Sequence, residues 1–436
     1  MKLIPSALLL AFSLTVARAD LAKYVALPET AAKWTVKNRA EFGNCEVTQI
    51  DLVSQVWQGI EWKHDLVLFR PKDIPATDTI FLLNSGGRAK PEGLPYGVML
   101  ATKIKAPVAI LLGIPNQPLF DNKREDDLIA ETFVRYLETQ DQTWPLLFPM
   151  VKSLVKAMDA VQEVSSKEWG RKVERFVVSG ASKRGWTTWL TAASDSRVMA
   201  IAPMVIDVLN MPAQMERQVE CFGGPSEQIR PYSARGLVPM QQTAEAKRLW
   251  SWVDPWTYRA KFTLPKLVVL GTNDRYWAPD ALNLYWDSLP GEKWISYTPN
   301  AGHNLTEKKS DGSKDPMRAV DAVAAFTRHQ ITGKPLPKLS WNHLDQNGKM
   351  HLAITAEPAP KEVRVWRANG PTKDIRNATW ESRSVEVKEG QIQIDEERPS
   401  NGVSAFFAEL AYQIDDLPYS LCTQLRFVEA PSGAGK

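Results

Sequence analysis

The sequence predicts an α/β fold, with a mostly parallel sheet flanked by helices and a smaller β-rich part after it. Three observations carry this. Short apolar runs near 78–83, 108–112, 175–178, 198–206, 267–271 and 293–297 alternate with helical stretches, and strands joined by helices form parallel sheets. Several of these runs end in a turn that carries a chemically useful side chain. From residue 341 onward the pattern changes to short alternating strands separated by turns such as Asn369-Gly370-Pro371, which suits a small antiparallel β-sandwich.

Taken in order, residues 1–19 read as a secretory signal peptide. Lys2 supplies the positive start, 8–12 the apolar core, and Ala17-Arg18-Ala19 a small-x-small cleavage site before Asp20. That run is short for a membrane span, and no later run is long and apolar enough to be one. The expectation is a periplasmic or secreted protein, cut after Ala19. The net charge of +3 makes no case for nucleic acid. Cys45, Cys221 and Cys422 make an odd count, so an oxidising compartment predicts one disulfide and one free thiol, with three possible pairings. No Cys/His spacing suggests a metal, no phosphate loop suggests a cofactor, and nothing sets an oligomeric state.

Residues 45–70 form a predicted hairpin around Trp57-Gln58-Gly59. A buried strand at 78–83, a helix at 96–105 and a strand at 108–112 follow, then helices at 125–139 and 149–164. The stretch Arg175-Phe176-Val177-Val178-Ser179-Gly180-Ala181-Ser182-Lys183-Arg184-Gly185-Trp186 is the pivot. It is an apolar strand that exposes one serine and turns at once into a helix, the outline of a nucleophile elbow. Arg184 stands where the last glycine of G-x-S-x-G belongs, and Gly185 comes one residue late. The strand at 198–206 leads into 207–264, a stretch rich in Pro, Gln, Met and Trp that breaks the alternation and is read as a lid insertion. The strand at 267–271 ends at Asp274, a helical pattern begins at Ala281, and the strand at 293–297 is followed by His303. A helix at 319–329 closes the first domain (20–332). Residues 332–338 look like a linker to a second, β-rich domain at 341–436.

Serine, acid and histidine in that order, each after its own strand, is the α/β-hydrolase arrangement. A serine hydroxyl becomes nucleophilic when a base takes its proton, and a carboxylate fixes the tautomer of that base. Ser182, Asp274 and His303 are the candidates; Asp280 is a rival acid, further from the strand end. The backbone N–H of Lys183 and the Gly86-Gly87 turn are candidate oxyanion donors. Trp186 and Trp277 are candidates for an aromatic wall, and the side chains of Lys183 or Arg184 for reaching an oxyanion or a substrate carboxylate, unless they pair with acids. Glu216 and Glu220, four apart, would share a helix face able to hold a substrate ammonium.

With Gly-Ala-Ser-Lys-Arg-Gly-Trp-Thr-Thr-Trp-Leu, Gly-Thr-Asn-Asp-Arg-Tyr-Trp and Asn-Ala-Gly-His-Asn-Leu in view, the chain resembles the PhoPQ-activated pathogenicity-related protein family along almost its whole mature length. The resemblance implies an α/β-hydrolase core and secretion in bacteria, with some members tied by name to a virulence regulon. It also accounts for Arg184, since the family shares the serine-lysine-arginine-glycine pattern. The expectation is an exported serine hydrolase acting on a peptide or an ester. The competing reading, a secreted binding protein on an idle hydrolase scaffold, is disfavoured because no triad member is missing.

Overall fold

The computed structural model describes residues 20–346 and 349–431, so the signal-peptide assignment at 1–19 lies outside the described residues. Strands β1 (Lys33–Phe42), β2 (Cys45–Trp57) and β3 (Ile60–Pro71) form an antiparallel meander. The β2–β3 turn is the predicted one, with Gln58 and Gly59 both at positive φ, as a two-residue hairpin requires. β3 then pairs antiparallel with β5 (Val108–Leu112). From β5 the sheet is parallel through β4 (Thr79–Asn84), β6 (Arg175–Ala181), β7 (Val198–Met204), β8 (Lys266–Gly271) and β9 (Lys293–Thr298). Every residue of β4 and β8 is buried, as strands covered on both faces must be.

Helices α1 (Leu21–Ala26), α2 (Leu94–Ile104), α3 (Glu125–Thr139), α4 (Leu147–Glu168) and α5 (Lys183–Ser194) divide between the two faces of the sheet. α1, α3, α4 and α5 supply one apolar core; α2 supplies the other, together with α9 (Met317–Thr332). Between β7 and β8 the chain leaves the sheet to form α6 (Met211–Phe222), α7 (Arg230–Ser233) and α8 (Ala244–Val253), the segment that breaks the alternation in the sequence. The helix expected from Ala281 is a single 3₁₀ turn, Ala281–Leu284.

α9 stops at Gly333, whose φ of +69° is a left-handed helix cap. The strands beyond it do not stand apart from the core sheet. Leu417–Cys422 pairs with β9 through Cys422 and Ile295, and Val403–Ile414 and Glu362–Gly370 continue outward in the same 14-stranded sheet. A second sheet of three strands, Lys338–Gln346, Lys349–Glu357 and Gln391–Glu397, packs its apolar face on this extension. The sandwich pattern read from the sequence is thus present, with one of its layers continuous with the hydrolase sheet.

The cysteine expectation is corrected. Cys45 on β2, Cys221 on α6 and Cys422 are all buried and all free. Burial pushes the Cys45 thiol up to about 11 and that of Cys221 to about 12, which keeps both as unreactive thiols. The native, unreduced protein should therefore show no fast-reacting thiol and, once unfolded in denaturant, three. A count of one after unfolding would reinstate the disulfide.

Candidate active site

The site is built where strands β6, β8 and β9 end. Ser182 follows β6 with φ +59° and ψ −129°, a conformation that costs a non-glycine residue roughly 1–3 kcal/mol and persists only where the surroundings impose it. They do: its N–H donates to the Met204 carbonyl at 2.9 Å, and its own carbonyl accepts from the Trp186 N–H at 3.0 Å. A Cβ on Gly180 would stand 2.7 Å from the Arg184 carbonyl oxygen, and one on Gly185 would stand 2.9 Å from the Gly180 oxygen. The turn closes because both positions are glycine. Thus the late glycine of the elbow pattern has a packing role, and the Arg184 position has no need of one.

The strand ends of β8 and β9 are drawn together. The Asn300 N–H donates to Thr272 Oγ1 at 2.9 Å and the Asn273 N–H to the Ala301 carbonyl at 2.9 Å. A Cβ on Gly271 would meet the carbonyl oxygens of Ala301 and Gly302 at 2.5 Å, so glycine permits this approach. The result sets Asp274 against His303, with Nδ1 and Oδ2 2.8 Å apart. The other carboxylate oxygen accepts the Tyr276 N–H at 2.9 Å, and the Tyr276 ring lies over the imidazole at 4.2 Å between centroids. Because Nδ1 faces a carboxylate acceptor, it carries the proton, which leaves Nε2 as a lone-pair acceptor. Nε2 is buried and has no hydrogen-bond partner among the described residues, Ser182 included. The rival Asp280 is turned away and accepts from Arg217 Nε at 3.0 Å.

A loop of the C-terminal part, between the strands Glu362–Gly370 and Glu381–Val385, reaches this same corner. Asn273 Nδ2 donates to the Ala378 carbonyl at 2.8 Å, and Asn300 exchanges two hydrogen bonds with the Trp380 backbone, at 2.7 and 2.9 Å. The two loops that carry Asp274 and His303 are therefore pinned from outside by residues 376–380.

Ser182, Lys183 and His303 line one small cavity of about 50 Å³, roofed by Met211, Met215, Tyr232 and Trp250 of the 207–264 insertion and walled by Trp186 and Trp277. The backbone N–H of Lys183 heads α5, where the first N–H groups have no partner within the helix. The remaining candidates are not brought together here. Gly86 and Gly87 are not among the residues lining the cavity; a Cβ on Gly86 would meet Arg184 Nη2 at 2.4 Å, so this glycine makes room for the guanidinium. Arg184 is not a substrate ligand in this geometry: it donates to both oxygens of Glu125, at 2.6 and 2.7 Å, and to the Ile114 carbonyl at 2.6 Å. The Lys183 ammonium, only 6% exposed, lies 2.8 Å from Glu125 and 3.2 Å from Asp126. Glu216 and Glu220 are exposed on the outer face of α6, and Glu220 pairs with Lys373 and Arg217.

Several residues of the site were not singled out from the sequence, Glu125, Asp126 and Tyr276 foremost. Glu125 heads α3 at φ +52°, where Gln117 Oε1 accepts its N–H. Although burial raises its carboxyl, Arg184 and Lys183 more than offset this and hold it well below the usual carboxylate range. Asp126 lines the cavity and accepts from the Tyr232 hydroxyl at 3.1 Å; Tyr276 also lines it, and burial and then Asp126 push its phenol up to about 12. The acidic run Glu125-Asp126-Asp127 was the available signal, an unusual charge density facing the Lys183-Arg184 pair of the elbow.

A parallel sheet with a positive-φ serine at the head of a helix, and an acid and a histidine joined at the ends of the next strands, defines a protein of the α/β-hydrolase fold. More particularly, the chain belongs to the PhoPQ-activated pathogenicity-related protein family, whose model matches residues 21–376. It is similar to the autocrine proliferation repressor protein A of Dictyostelium discoideum, at 29% identity over 93% of this chain and 88% of that one. Among solved structures, it is similar to an acetyl xylan esterase from Paenibacillus sp. R4 (14% identity, TM-score 0.47, covering 65% of this chain and 86% of that one). It is similar also to an S-formylglutathione hydrolase from Agrobacterium tumefaciens (11% identity, TM-score 0.43, covering 69% and 98%).

One group beside the site should be visible in stability. Asp207, buried just beyond β7, accepts from the Tyr285 hydroxyl at 2.5 Å. Burial, and then the nearby Asp274 and Asp280 carboxylates, push its carboxyl up to about 7. Between about pH 4 and 7 the unfolded chain releases a proton that the folded chain keeps. Stability therefore falls as pH rises through that window and levels off above it. Asp207→Asn keeps an acceptor for Tyr285 and removes the titration. The melting temperature of the variant, relative to the wild type, should climb by a few °C between pH 5 and pH 8. A constant difference across that range would refute the assignment.

Proposed function

We propose that the chain is an exported serine hydrolase in which Ser182 is the nucleophile, His303 the general base and Asp274 the acid that orients it. The observation that carries this reading is the His303 ring: Nδ1 is tied to Asp274, Nε2 is buried and unpartnered, and the residue lines the cavity that Ser182 also lines. In the proposed cycle Ser182 Oγ attacks the substrate carbonyl carbon while its proton passes to Nε2. The resulting imidazolium is stabilised by Asp274, and the oxyanion is met by the Lys183 N–H at the positive end of α5. Collapse breaks the bond to the leaving group, which takes the proton from Nε2 and departs, so that an acyl-Ser182 ester remains. Water repeats the sequence and frees the acid.

Of the two substrate classes, an ester is the better supported. A peptidase reading a free amino terminus needs carboxylates open to an ammonium at the site; Glu216 and Glu220 lie outside it, and Asp126, which does line the cavity, is already paired with the Lys183 ammonium and the Tyr232 hydroxyl. Export rests on the signal-like residues 1–19; no described helix is long and apolar enough to cross a membrane.

A fluorophosphonate probe should label the wild-type protein at Ser182 and leave Ser182→Ala unlabelled. In ester hydrolysis Ser182→Ala or His303→Ala should lose several orders of magnitude in kcat, and Asp274→Asn about 10⁴-fold. Labelling that survives in Ser182→Ala, or is missing from the wild type, would overturn the reading and favour a binding protein on this scaffold.

A further inference from the structure

Two cavities meet at His303, and they differ in size and in what they share. The first is the chamber of about 50 Å³ that Ser182 lines, beneath the insertion. The second, of about 220 Å³, lies on the other side of the histidine between α2, α9 and the loop after His303. Leu100, Ala319 and Val323 form its floor, and Tyr96, 40% exposed, stands at its edge. His303 lines both chambers; Ser182 lines only the first, whereas its neighbour Ala181 lines the second.

The chemistry of acyl transfer assigns the two spaces. The acyl group becomes covalently attached to Ser182 and stays there after the first product leaves, so it must occupy the chamber that Ser182 lines. The leaving group must touch the histidine that protonates it, and need not remain beside the serine. Resting on the serine-hydrolase reading above, we propose that the substrate is an ester of a short carboxylic acid with a bulky, largely apolar alcohol, whose alcohol side occupies the second cavity. Size supports the short acid: the first chamber, at about 50 Å³, is less than a quarter of the second, at about 220 Å³, so the smaller group belongs in the first and the bulkier in the second. Both chambers are walled mainly by apolar side chains, among them Met215, Trp250 and Trp277 in the first and Leu100, Ala319 and Val323 in the second.

The test measures kcat/KM for benzyl acetate, benzyl butanoate, benzyl octanoate and ethyl acetate, with fluorophosphonate labelling as a parallel readout. In the wild type the octanoate should fall at least about tenfold below the acetate, and benzyl acetate should exceed ethyl acetate. Tyr96→Ala, at an exposed position, should lower the benzyl-to-ethyl ratio about tenfold and leave the octanoate-to-acetate ratio where it was. Met215→Ala, at a half-buried position, should do the reverse, raising the octanoate-to-acetate ratio about tenfold. These are ratios, so a loss of folded protein cancels. Octanoate turned over as well as acetate, or a Tyr96 variant that alters acyl-length preference in place of alcohol preference, would overturn the assignment. Labelling at Ser182 without turnover of any ester would overturn the substrate class and leave the nucleophile standing; no labelling would overturn the hydrolase reading beneath it.

Discussion

The contact between Asp274 Oδ2 and His303 Nδ1 joins loops that leave two neighbouring parallel strands, and much of the surrounding structure keeps those loops within 2.8 Å. A parallel pair alone would not do so, because each chain runs off the sheet edge on its own course. Gly271 admits the carbonyls of Ala301 and Gly302, and the Asn300 N–H reaches across to Thr272. Residues 376–380 then hold Asn273, next to Asp274, and Asn300, three residues before His303, from outside. In this way the β-rich C-terminal part, remote in sequence, is a component of the proposed site.

The serine side depends on a different physical device. The elbow places two cations directly after Ser182, and a buried charge without a partner would be expensive. Glu125 and Asp126 resolve this, with Glu125 shared between Lys183 and Arg184. The arrangement binds the start of α3 to the start of α5 and fills the space over Gly86 with the Arg184 guanidinium. It also leaves the Lys183 N–H as the group of that residue available to a developing oxyanion.

Much of this fold was legible because its signals are local. Buried parallel strands such as Leu267 to Leu270 are unbroken apolar runs, the Gln58-Gly59 turn has its own chemistry, and the span 125–139 coincides with α3. The strand-end placement of Asp274 and His303 was legible for the same reason: each follows a strand end closely. What failed was long-range. The spacing of Glu216 and Glu220 does place them on one face of α6, but spacing cannot say whether that face looks into the site, and it looks out. The odd cysteine count suggested a pairing that depends on distance, and the three thiols sit on separate elements. Nor did the alternation of 404–412 and its neighbours reveal that the strand Leu417–Cys422 would cover the open edge of β9. The partnership of Arg184 with Glu125, residues 59 apart in sequence, is invisible for the same reason.

The central claim is that His303 is held with its proton on Nδ1 toward Asp274 and a bare lone pair on Nε2, able to take the proton of Ser182. Nitrogen-15 NMR of the histidine side chains reads this directly. At a pH where His303 is neutral, the account predicts a protonated Nδ1 and a bare Nε2, assigned by the loss of both signals in His303→Ala, with the preference for that tautomer lost in Asp274→Asn. A neutral ring that carries its proton on Nε2 in the wild-type protein would contradict it.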